Sequence, residues 1–284
     1  MAENPLPDFI IVGPQKCATT WLYECLYEHP EVHMPETDSV HYFNINYHRN
    51  EQWYRKHFSE YGGEPIVGEE TPTYIRDENA PKRIAETVPD VKLIFTLRNP
   101  VDRAYSHWWH ERSKNKHSFE FKEVFENYDL YQNWVVPGFY HQHLMRYREH
   151  IPEENIKVAL FDDLVEDDLA YVQDIYSFLD VDSDYVPSLI GEKSNQGKFR
   201  SITRSSVHSM SVSAYKKIAP RFGIDLARPI YRRIKSFLAS QSEYEQGMDD
   251  DIRKLLEKHY IGDLQDLSTY LNRDFDHWLR HHNL

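Results

Sequence analysis

The sequence predicts an α/β fold, a three-layer sandwich in which a central parallel β-sheet carries helices on both faces. Three observations point to it. The stretches FIIV before Gly13-Pro14, VKLIFTL at 91–97 and IKVALF at 156–161 are predominantly apolar rather than alternating, which is how strands covered on both faces read. Helical spacing recurs between and after them, over 78–88, 140–150 and 168–179, and strands alternating with helices build a parallel sheet. A chain of 284 residues, 40% of them hydrophobic, can bury one sizeable core, and with no repeat or linker in sight a single domain over 1–284 is expected.

The first strand ends at Gly13-Pro14, and TTWLYECL continues as an amphipathic helix. The turn between them carries Lys16, Thr19 and Thr20. A loop entering a helix offers unpaired backbone N–H groups and the positive end of the helix dipole, to which this one adds an ammonium and two hydroxyls. The result is a P-loop-like anion cradle with the chemistry of a phosphate site. It departs from the triphosphate pattern G-x-x-x-x-G-K-[ST], because the second glycine is missing and the lysine does not directly precede a threonine. An ordinary strand-to-helix turn is the alternative reading.

Further along, 31–43 reads as a short extended piece, a polar turn and a second extended piece, and 50–58 as a short helix. A Gly-bounded strand with a Thr-Pro break follows at 62–75, then the 91–97 strand. Pro100 opens the next helix at its first turn, where a missing N–H costs nothing. Helices are expected near 119–128 and over 248–271. Ligands on such sheets sit at the carboxyl ends of strands, where both the Lys16 loop and Arg98 fall.

Composition excludes several classes of function. No apolar run approaches the ~18 residues needed to span a bilayer. The opening MAENPLPDF has neither a basic nor an apolar signal-peptide region, so a cytoplasmic protein is expected. A net charge of −13 argues against nucleic acid as a partner. Two cysteines, Cys17 and Cys25, are too few for a structural zinc site and, about two helical turns apart, too distant to bridge. The charge is uneven, however: ten Lys/Arg and one acid, Asp225, lie between Lys198 and Phe237. The segment 202–240 reads as a basic helical lid or insertion, or as a peripheral contact for an anionic membrane.

Lys16-Cys17-Ala18-Thr19-Thr20 and Leu97-Arg98-Asn99-Pro100-Val101-Asp102-Arg103-Ala104-Tyr105-Ser106 together resemble the two nucleotide-binding motifs of sulfotransferases that use 3′-phosphoadenosine 5′-phosphosulfate (PAPS), most closely the bacterial and heparan-sulfate type. Similarity extends through WYRKHF, GEETPTY, NQGKFRS and LNRDFDHWL, nearly the whole chain. The resemblance implies that Lys16, Cys17, Ala18, Thr19 and Thr20 form the 5′-phosphosulfate loop. It implies that Arg98 and Ser106 hold the 3′-phosphate and that Lys198 and Arg200 fold over it. It implies sulfuryl transfer to a hydroxyl or amine, adenosine 3′,5′-bisphosphate (PAP) as product, and no metal. A small-molecule, carbohydrate or glycolipid acceptor is expected.

The general base is where the chain leaves the pattern. The resemblance implies a glutamate base, which many heparan-type and bacterial members carry two residues before the histidine of E-x-H-[FY]-F, and here Ser39 stands in its place in Ser39-Val40-His41-Tyr42-Phe43. His41, His110 one turn past Ser106, and a carboxylate from Glu36 or Asp38 are the replacements. Glu36, Ser39 and Glu70 are candidate acceptor-contact residues, and Glu70 stands where relatives often have lysine, which weakens the case for a heavily sulfated polysaccharide. Two other readings remain at this stage: a PAPS- or PAP-binding protein that has lost catalysis with the glutamate, and a P-loop kinase or NTPase.

Overall fold

The computed structural model describes residues 4–37, 39–114, 116–191 and 248–280, which excludes Asp38, Lys198, Arg200 and the 202–240 segment. Two compact units are distinguished: residues 1–108, 120–191 and 250–284 form the first, 109–119 and 192–249 the second. In the described part of the second, Arg112 donates to the carbonyls of Ser118 and Phe119 and Lys116 pairs with Glu111 at 2.7 Å.

The first unit is built on five strands, β1 (Phe9–Gly13), β2 (Val32–His33), β3 (Ile66–Glu70), β4 (Lys92–Leu97) and β5 (Ile156–Leu160). Their order is β2-β3-β1-β4-β5 and every pairing is parallel. The helices are α1 (Thr19–Glu28), α2 (Glu51–Arg55), α3 (Ala80–Thr87), α4 (Pro100–Ser113), α5 (Tyr128–Trp134), α6 (Tyr140–Arg148), α7 (Phe161–Glu166), α8 (Asp168–Leu179) and α9 (Asp250–Leu271).

All five residues of β1 are buried, as an apolar run without alternation requires. Side chains alternate between its faces, and Phe9 and Ile11 join one core with Leu22 and Leu26 of α1 and Val172, Ile175 and Leu179 of α8. On the other face Phe95 of β4 meets Tyr147 of α6 edge-on, with ring centroids 5.1 Å apart. The chain leaves β1 toward β2 on one side and later reaches β4 on the other, so β1 sits at the switch point where α/β sheets bind their ligands.

Three sequence expectations change. Val40–Phe43 is a turn and not an extended piece, because its amides bond to side-chain oxygens of the segment after β3 instead of to a strand. The helix expected near 119–128 is a 3-10 turn, Phe121–Phe125, held by a reciprocal Glu120/Glu123 cap; its buried Phe121 and Val124 have the i, i+3 spacing that a 3-10 turn eclipses. Helices α5 and α7 were not foreseen, the second because Phe161 extends the β-rich run that precedes it. Cys17 lies in the loop ahead of α1, and both cysteines are buried and unbridged.

Gly13 is the hinge between strand and loop. Its φ is +106°, and a Cβ there would lie 2.2 Å from the Pro72 carbonyl oxygen. Gly13→Ala should therefore cost about 3 kcal/mol, from left-handed strain and a backbone clash that cannot relax cheaply. Chemical denaturation with the slope unchanged would measure it, and a midpoint equal to wild type would disprove the contact.

Candidate active site

The loop from Pro14 to Ala18 is shaped by two residues in the left-handed region, Lys16 at φ +71° and Ala18 at φ +65°. Such backbone turns successive N–H groups into a concavity suited to an anion. Ala18 caps α1 without a side-chain bond, and the first turn of α1 has no acidic residue, so its N–H groups and dipole face the loop unopposed. Lys16 is half-buried, Thr19 is buried and Thr20 exposed. The Cys17 side chain faces the interior, where burial pushes the thiol up to about 11 against the opposing pull of Arg103 and Arg98. It is a protonated packing group, and only its backbone belongs to the cradle.

Arg98 follows β4 and reaches across to this loop: its Nη1 donates to the Lys16 carbonyl at 3.3 Å. The guanidinium lies over the Phe161 ring, 4.8 Å from the centroid, at the end of β5. Tyr140 donates to the Arg98 carbonyl at 2.6 Å. Asn99 caps α4, its Oδ1 accepting from Val101 and Asp102, while its Nδ2 donates to the Trp278 carbonyl at 2.7 Å. Ser106 is buried on α4, two turns from the helix start. Arg98 is thus held by three strand ends at once. His110 is on the same helix but belongs to the second unit, where its carbonyl accepts from Ser113.

Beside the cradle, the segment after β3 joins two loops. Thr71 N donates to the Ile11 carbonyl, and Thr71 Oγ1 accepts from the amides of Val40 and His41. His41 is the third loop residue in the left-handed region, at φ +56°. Such strain in a non-glycine residue is a pointer to function. Its Nδ1 lies 3.1 Å from Thr73 Oγ1, which also accepts from Asn44 Nδ2. Burial lowers the His41 pKa, with Asn44 raising it and Arg76 lowering it further. Ser39 is half-buried, Glu36 exposed, and Glu70 buried at the end of β3 opposite Ile11 of β1. Among the described residues no cluster of His, Cys, Asp and Glu is arranged to hold a metal, and no described helix is long and apolar enough to cross a membrane.

Sequence reasoning missed Phe161, Tyr140, Asn99 and Thr73. Only Asn99 carried a signal, as the residue capping a Pro-initiated helix; the others are aromatic or hydroxyl groups whose role depends on which strand ends meet.

A parallel sheet with a cationic strand–loop–helix at its switch point and an arginine at the neighbouring strand end defines an α/β protein that binds a phosphorylated ligand. Residues 6–221 match the sulfotransferase domain, and the chain belongs to that family. PAPS is the general sulfuryl donor of that family. The human bifunctional heparan sulfate N-deacetylase/N-sulfotransferase 3 is 34% identical over 195 residues, 62% of this chain and 22% of that protein. The membrane-associated sulfotransferase kil1 of Dictyostelium discoideum is 36% identical over 126 residues, 40% of this chain and 27% of its own length. The chain thus spans about a quarter of these relatives. A sulfotransferase crystal structure from Alicyclobacillus acidocaldarius shares the fold, with a TM-score of 0.71 over 96% of this chain and 99% of that one at 24% identity.

Proposed function

We propose that this chain transfers a sulfuryl group from PAPS to a hydroxyl or amine of a carbohydrate or glycolipid, with His41 as the general base. The observation that carries the reading is the bond from Arg98 to the Lys16 carbonyl, which joins two anion-binding segments 82 residues apart. In this reading Arg98 and Ser106 bind the 3′-phosphate, the fork of one complemented by the hydroxyl of the other. Thr19, Thr20 and the backbone N–H groups from Cys17 into the first turn of α1 bind the 5′-phosphate. Lys198 and Arg200, outside the described residues, are assigned by motif position alone.

Transfer forms a bond from the acceptor oxygen or nitrogen to sulfur and breaks the bond from sulfur to the phosphate oxygen. Lys16 neutralises the charge that gathers on that leaving oxygen. The acceptor proton goes to His41 Nε2. In the tautomer with the proton on Nδ1, Thr73 Oγ1 accepts it through its second lone pair, and Nε2 is left with the lone pair a base needs. A lowered pKa keeps that ring neutral near pH 7. His110 is the second candidate.

The carbohydrate acceptor is supported by the likeness to heparan sulfate N-deacetylase/N-sulfotransferases. Glu70, buried at the end of β3, weakens the case for a heavily sulfated acceptor. The family match gives the kinase alternative no support. Calorimetric titration with PAP, 5′-AMP and ATP tests the donor, and radiolabelled PAPS offered with N-deacetylated heparosan tests transfer. Tight binding that requires the 3′-phosphate, with label in the polysaccharide, is expected. Equal binding of all three nucleotides would overturn the donor assignment. Binding without transfer to this or any sugar acceptor would favour a chain that has lost catalysis at Ser39.

A further inference from the structure

Directly beneath the His41 turn lies a carboxylate with no part in the reaction as described. Glu69 is fully buried in β3 and accepts hydrogen bonds from three hydroxyls. Thr71 Oγ1 donates to Oε1 at 2.7 Å, Tyr74 OH to the same oxygen at 2.8 Å, and Tyr54 OH to Oε2. A hydroxyl has one proton and two lone pairs. Once its proton is committed to the carboxylate, only lone pairs are left to face the other way.

Those lone pairs meet the turn. Thr71 Oγ1 accepts from Val40 N at 3.2 Å and His41 N at 3.4 Å, and Tyr74 OH accepts from Phe43 N at 3.2 Å. On the far side, Asn46 takes up the carbonyls: its Nδ2 donates to Val40 O at 3.1 Å and its amide to His41 O at 2.9 Å. Both peptide groups flanking His41 are therefore pinned, and the left-handed backbone at this residue, disfavoured for a non-glycine, is held from both sides.

We propose that Glu69 is a positioning residue for His41: by taking the protons of Thr71 and Tyr74 it turns both hydroxyls into acceptors for the Val40, His41 and Phe43 amides and so fixes the imidazole against Thr73. This rests on the reading of His41 as the base. Burial raises the Glu69 pKa while the three hydroxyl donors lower it. Three hydroxyl bonds satisfy the buried carboxyl, and a fully satisfied buried network holds its members in one arrangement.

The test uses the full chain with Thr71→Val, Thr71→Ser, Tyr74→Phe and Glu69→Met. Thr71→Val keeps the shape and removes the acceptor; serine restores it. The expected result for Thr71→Val is at least tenfold faster hydrogen exchange at Val40 and His41, and a shifted imidazole titration of His41 by NMR. Turnover on N-deacetylated heparosan should fall 10- to 100-fold with PAP affinity within about twofold of wild type. Thr71→Ser should recover all three, and Tyr74→Phe should expose the Phe43 amide alone. Glu69→Met should reproduce the Thr71→Val and Tyr74→Phe effects together; if it does not fold, the Thr71 pair decides. Unchanged amide protection and an unchanged His41 titration in Thr71→Val would overturn the proposal. Wild type that fails to bind PAP would instead overturn the proposed function, while the exchange and titration readouts would still decide whether the network orients His41.

Discussion

Replacing His41 by alanine is expected to lower sulfuryl transfer by about 10²- to 10⁴-fold, the range by which a positioned general base accelerates a reaction. PAP affinity should stay within about twofold of wild type, because the proposed phosphate ligands lie on the β1 loop and on α4. His41→Asn is the sharper variant. Asparagine tolerates left-handed backbone far better than most residues, so it keeps the turn while removing the imidazole. The pH dependence carries a sign. Burial lowers the His41 pKa, so the ring is neutral at pH 7 and becomes charged, and useless as a base, only as pH falls below the ordinary histidine value of about 6.5. Transfer should be flat near neutrality, decline on an acid limb with its midpoint below that value, and lose that limb in either variant. Undiminished turnover in His41→Asn would remove His41 from the mechanism and leave His110 as the base to test.

Arg98→Ala is expected to weaken PAP by about 100-fold, since two or more charge-assisted bonds at ~1.5–3 kcal/mol each are at stake. Affinity for 5′-AMP, which has no 3′-phosphate, should move far less. Arg98→Lys should recover only part of the loss: a lysine keeps the charge but cannot fork onto phosphate, stack on Phe161 and reach the Lys16 carbonyl together. Wild-type PAP affinity in Arg98→Ala, measured by calorimetry, would sink the assignment of the 3′-phosphate site.

The sheet was legible in the sequence because its central strands, β1 and β4, are buried on both faces and carry no alternation to confuse them. β4, β5 and α8 fall within a residue or two of their expected bounds. The cradle was legible for a different reason: a cation and hydroxyls between a strand and a helix is a local pattern that needs no tertiary knowledge. What escaped depends on which distant segments meet. Nothing in Ser39-Val40-His41-Tyr42-Phe43 says that its amides will bond to Thr71 and Tyr74, thirty residues on, instead of to a strand, and the apolar Val40 and Phe43 read as extended in consequence. Glu69 illustrates the same limit, since its three hydroxyl partners come from α2, from the segment after β3 and from the 3-10 turn at Tyr74–Arg76.

The bond from Asn99 to the Trp278 carbonyl spans 179 residues, and it bears on when the protein becomes competent as well as on how it is held together. Asn99 caps the helix that begins two residues after Arg98, so the arginine's platform is complete only when the segment that presents Trp278 has emerged from the ribosome. At about 5–20 residues per second, the strand ends that meet Arg98 wait on the order of ten seconds or more for that last clamp. A nascent chain could form β1, β3 and β4 long before it could grip a bisphosphate. Ligand capture is thereby deferred until Trp278 has been made.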